Sequence, residues 1–178
     1  METHEIPPTS PRHLVLGIDA HGFSDPSTID ILLVSYDITG AGALFSHVTV
    51  GSADLRRAAR FYDALLTPLG LVRREVVPDG GPAALCWVSP DAALPRFYVY
   101  SPLNGQPASS GNGSMVAFLA SSDIVVNAAY EAGIAAGGTS EGLPGERPNY
   151  GKGYYGAYLR DTDGNKVHIV HRGDLGRQ

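Results

Sequence analysis

The residues with most chemistry to offer are a few imidazoles, phenols and one guanidinium, each in a segment whose pattern constrains it. His47 stands in the alternating run Phe45-Ser46-His47-Val48-Thr49-Val50-Gly51, and His168 in Lys166-Val167-His168-Ile169-Val170-His171. A neutral imidazole can hold a metal or move a proton near neutral pH. His171 is out of phase with His168 and faces away from it. Tyr98 and Tyr100 share a face by the two-residue period and offer aromatic area with a hydroxyl edge. Arg147 and Tyr150 lie in Gly142 to Gly153, a Gly- and Pro-rich stretch that fits a flap over a ligand or an ordinary surface connection. The Arg147 fork suits a carboxylate or phosphate, although an arginine bonded to a backbone carbonyl is the commoner arrangement.

Two other candidates read as structure. Cys86, beside Trp87 in a β-rich stretch, fits a small buried apolar side chain rather than a nucleophile. Asp161-Thr162-Asp163-Gly164-Asn165 looks like a calcium loop, but its glycine comes too early and the closing glutamate is absent, so a hairpin turn is expected.

The elements that must position these residues follow from periodicity. The spacing predicts a strand over 45–51, then a helix over 55–67 capped by Asp54 and stopped by Pro68 and Gly70. Three β-rich stretches follow at 71–77, 83–89 and 96–101. After a Gly/Ser-rich connector at 102–113 the order restarts: a strand at 114–120, a helix opened by Asp123 and ending near Gly137-Gly138, and a hairpin of strands at 154–160 and 166–171. One constant offset lays His47 on Met115, Val48 on Val116, Val50 on Phe118, Tyr62 on Tyr130 and Gly70 on Gly138, which points to an internal duplication.

Composition limits the partners. A formal charge of −5 leaves no basic face for phosphate backbones, so no nucleic-acid partner is expected. A single cysteine allows no intrachain disulfide and no thiolate cluster, which suits a reducing cytoplasm. The start METHEIPPTSPRH lacks an export-signal pattern, and the apolar runs 14–18 and 29–34 are too short to cross a bilayer. Residues 1–43 differ in texture and are expected to be an extension, poorly ordered or carrying an added strand at 31–36. The domain is expected over 44–173, with a tail at 174–178.

His47-Val48-Thr49-Val50 followed by Ala53-Asp54-Leu55 and Phe61-Tyr62, with Asp161-Thr162-Asp163-Gly164-Asn165-Lys166-Val167-His168 near the end, resembles the vicinal oxygen chelate superfamily, which includes glyoxalase I, bleomycin-resistance proteins and extradiol dioxygenases. Arg147 to Tyr150 and Gly153 to Tyr158 are similar to a glyoxalase-like bacterial branch. The resemblance implies an α+β fold of two tandem βαβββ modules forming a cupped mixed sheet, and a small-molecule pocket in the cup. It places His47 and His168 among the metal-ligand positions, for a divalent zinc, nickel or iron. Met115 and Tyr98 or Tyr100 fall at the other two positions, where a thioether and a phenol make poor ligands for such ions. The activity implied is a lyase or isomerase acting beside a substrate carbonyl, with His47, His168 and Tyr98 as catalytic candidates and Tyr100, Met115, Arg147 and Tyr150 binding substrate. The alternative is a metal-free protein that sequesters a planar or apolar compound; a dioxygenase is disfavoured. Related proteins also imply a homodimer.

Overall fold

A computed structural model describes residues 45–175. The expectations for 1–43, including the strand at 31–36, and for the end of the tail lie outside the described residues. Within them two βαβββ modules follow one another. The first comprises β1 (His47–Gly51), α1 (Leu55–Leu66), β2 (Val72–Arg74), β3 (Ala84–Val88) and β4 (Arg96–Tyr100). The second comprises β5 (Val116–Ala120), α2 (Asp123–Ala135), β6 (Thr139–Glu146), β7 (Tyr154–Arg160) and β8 (Lys166–Arg172). A short 3-10 turn spans Gly173–Leu175. The sheets have matching orders, β1-β4-β3-β2 and β5-β8-β7-β6, with first and last strands parallel and the other pairs antiparallel. The duplication in the sequence is therefore a duplication of topology.

Local chemistry accounts for the helices. The Asp54 carboxylate accepts from the amides of Arg56 and Arg57 at 2.9 and 3.1 Å, and the Ser122 hydroxyl accepts from Val125 at the start of α2. At their ends the repeat slips by one residue: Gly70 has φ +79°, and the left-handed residue after α2 is Gly137 at φ +101° rather than Gly138.

The strand β6 is a correction. Its Pro144 and paired glycines read as flap, yet Thr139–Glu146 pairs with β7 through two register shifts, after Ser140 and after Gly142. Proline and glycine are tolerated there because β6 is an edge strand and the bulges absorb the mismatch. Only 147–153 remains as connection.

One core joins the modules. Phe61, Tyr62 and Leu65 of α1 pack with Trp87, Phe97 and Val99 on one side and with Ala129, Leu159 and Ile169 on the other. The rings of Phe97 and Phe118 meet edge to face at 5.1 Å, so the helix-bearing sides of both sheets share this core. A polar tie accompanies it. Asp161 accepts from the buried Tyr62 hydroxyl at 2.8 Å, Asp163 accepts from the Ser52 hydroxyl at 2.7 Å and from Arg57, and Asn165 donates to the Gly51 carbonyl at 2.9 Å. The turn at 161–165 is thus a hairpin, as its sequence suggests, and its carboxylates accept from side chains of the first module. Among the described residues no helix is long and apolar enough to cross a membrane.

Candidate functional site

Register decides which side chains reach the open faces. In the first module Val50 of β1 packs against the core with Phe97 and Val99, and Val48 shares their side by register, so His47, Thr49, Arg96, Tyr98 and Tyr100 occupy the reverse. There the His47 ring meets Tyr98 edge-on at 5.7 Å, and Tyr98 lies beside Tyr100 at 5.6 Å. Arg96 Nη1 donates to the Tyr98 hydroxyl at 3.2 Å, and burial followed by the Tyr98 charge raises the Tyr100 phenol above its usual range. His47 itself is exposed and hydrogen-bonds the Ser46 hydroxyl at 3.1 Å. Cys86, paired with Tyr98 in the register, is buried as expected.

The second module carries a denser arrangement. Val48 pairs with Phe97 and Val116 with Val167, so Tyr98 and His168, the next residue in each last strand, are equivalent by the internal repeat. His168 is only 2% exposed. Its ring stacks on Tyr158 at 4.2 Å with 11° between planes, and faces Tyr154 at 5.9 Å and 21° on its other side. Gly156 makes the slot: a Cβ there would stand 2.5 Å from His168 Nε2, so only glycine leaves room for the imidazole between the two tyrosines. Cations flank the rings, with Arg147 and Lys166 over Tyr158 at 5.7 and 5.2 Å and Arg172 over Tyr154 at 5.1 Å. Burial, reinforced by the charges of Arg147 and Lys166, lowers the His168 pKa from 6.5 to about 4. The imidazole is neutral at physiological pH, and its Nε2 is buried without a hydrogen-bond partner.

The structure thus gathers the expected residues into two groups, not one. His47, Tyr98 and Tyr100 form the first; His168, Arg147 and Tyr150 belong to the second, with Tyr150 5.2 Å from Tyr154. Each group lies on the side of its sheet that turns away from the common core. Among the described residues no hydrogen bond or ring contact joins them. Arg147 also takes the commoner course named above, donating to the carbonyls of Leu143 at 2.8 Å and Glu146 at 3.2 Å. Met115 stands just before β5, 45% exposed. His171 turns to the core side and bonds the Ala120 carbonyl at 3.2 Å.

Tyr154 and Tyr158 are site residues that the sequence reading passes over. Their signal was present, since a hairpin closing at Arg160 and Lys166 pairs Tyr158 with His168, and Tyr154 follows by the two-residue period.

The residues do not fit a divalent metal. The four positions equivalent by the repeat carry His47, Tyr98, Met115 and His168, a set with no carboxylate and a thioether unsuited to zinc, nickel or iron(II). The His168 Nε2 is sealed over Gly156. No group of three His, Cys, Asp or Glu side chains able to hold an ion occurs among the described residues.

No protein-family model matches the chain, and no curated protein does. Among solved structures it is similar to a glyoxalase/bleomycin resistance protein from Albidiferax ferrireducens, with 44% identity over 73% of this chain and 99% of that one, at a TM-score of 0.62. A glyoxalase-related enzyme from Fulvimarina pelagi (21% identity, 72% and 87% of the two chains, TM-score 0.54) and a lactoylglutathione lyase from Agrobacterium tumefaciens (18%, 77% and 99%, TM-score 0.53) share the fold.

Proposed function

The chain belongs to the glyoxalase/bleomycin resistance protein family, and from that premise we propose that it binds a planar or apolar small molecule against its aromatic open faces without a metal ion. The His168 stack carries this reading. An imidazole held flat between two phenol rings, with a pKa near 4, is a weak base at neutral pH and a poor general catalyst. It serves better as part of a rigid wall whose edges present hydroxyls. Tyr98, Tyr100 and His47 supply a second wall on the first module.

The walls face away from the shared core, so a two-fold homodimer, in which one chain's first module opposes its partner's second, is the arrangement that closes a pocket between them. The cytoplasm stays its proposed compartment, on the single cysteine.

One observation favours a lyase or isomerase as a second reading. The Tyr98 hydroxyl accepts from Arg96 and lies beside the His47 ring, which leaves its own proton for donation to a substrate oxygen in this reading. Calorimetric titration of chelator-treated protein with 2-naphthol tests the first reading. Saturable binding that added zinc or nickel leaves unchanged is expected; binding only after metal is restored overturns it.

A further inference from the structure

A cavity of about 490 Å³ opens beside the Tyr158 stack, between the connector that precedes β5 and the ends of β7 and β8. It shares Met115 and Lys166 with the residues described above. Its walls are Ser110, Asn112 and Ser114 with the intervening glycines, then Arg160 and Lys166. Two cations line it, and no carboxylate does. Glu141 pairs with Lys166 at 3.0 Å and with Arg160 without entering the lining, and so fixes both heads. Donors are left over. Lys166 has three N–H groups and one partner in Glu141, while Arg160 commits Nε to Glu141 and Nη1 to the Gly164 carbonyl at 2.7 Å. Among the described residues the amides of Gly111, Asn112 and Gly113 donate to no backbone carbonyl.

We propose that this cavity binds the anionic oxygens, phosphoryl or carboxylate, of a small organic ligand. Fixed guanidinium and ammonium groups, free amides and serine hydroxyls together form the donor set that such oxygens need. Neutral side chains would suffice for an uncharged polar group, whereas two cations set against the single Glu141 carboxylate leave a net positive charge that selects for an anion. The Lys166 ammonium lines the cavity and also stands 5.2 Å over the Tyr158 ring, so a ligand anchored here lays its organic part toward the tyrosines. That last step rests on the small-molecule reading; the anion site does not.

The test keeps the two apart. Amide NMR spectra of the full chain are followed during titration with inorganic phosphate, and separately with phenyl phosphate, benzoate and phenol at fixed ionic strength. Saturable shifts of Gly111, Asn112 and Gly113 with phosphate are expected, weakened about tenfold in Lys166→Gln and weakening with added salt. Phenyl phosphate and benzoate should exceed phenol in affinity, and the stronger of the two names the group. Absent loop shifts, or shifts unchanged in Lys166→Gln, overturn the anion site even if phenol binds. Loop shifts with phosphate, and no binding of any ring compound, retain the anion site and sink the aromatic reading instead.

Discussion

At the scale of single residues, His168 shows how a side chain's type fails to give its role. The sequence offers an imidazole on a late strand; the fold places it between Tyr154 and Tyr158 over Gly156, where it is buried and neutral. The pH dependence follows. With a folded pKa near 4 against 6.5, the unfolded chain binds the extra proton first, so stability is full above pH 6.5 and falls as pH drops toward 4, by up to about 3 kcal/mol. In His168→Phe, which keeps a flat ring, this part of the slope should vanish, as urea unfolding at pH 7 and pH 4.5 would register; an unchanged slope would count against the buried neutral imidazole. Gly156→Ala should cost about 1–3 kcal/mol by driving a methyl into that ring, visible as a lowered Tm. A neutral effect there would mean the slot is looser than described. Met115 was equally legible as a departure, because the repeat lays it on His47.

Among elements, those with strong periodic patterns were legible and those with weak ones were not. Strand β1, helix α1 and the β7-β8 hairpin follow directly from alternation, capping and turn chemistry. Strand β6 escaped because Gly142, Pro144 and Gly145 carry no alternation, and its pairing comes from β7 and two bulges instead of from its own residues. The turn at 161–165 was legible as a turn but not as a bond between modules, since its partners Ser52, Arg57 and Tyr62 lie about a hundred positions away. Asp163→Ala strands the Ser52 hydroxyl and the Ala53 amide and should cost about 2 kcal/mol in chemical denaturation, with ligand affinity retained once folded. A cost near zero would mean the apolar core alone aligns the modules.

For the whole molecule, the repeat was legible in the sequence but the packing of its halves was not. The modules join through their helices and the Phe97–Phe118 contact, which leaves the His47 and His168 groups on faces turned away from the shared core. A second copy supplies the missing wall in the proposed dimer. Sedimentation should give twice the chain mass, and Leu119→Lys on the 69% exposed edge-strand position should shift it to the monomer and weaken ligand binding together. Monomeric wild-type protein that still binds ligand at full affinity would remove the need for a partner. On the proposed function, a planar compound lies against these tyrosines with no metal present. Intermolecular NOEs between 2-naphthol and chelator-treated protein measure this directly. Cross-peaks to the rings of Tyr158 and of Tyr98 or Tyr100 are predicted; bound ligand whose contacts fall elsewhere, or that appears only with added metal, would contradict the account.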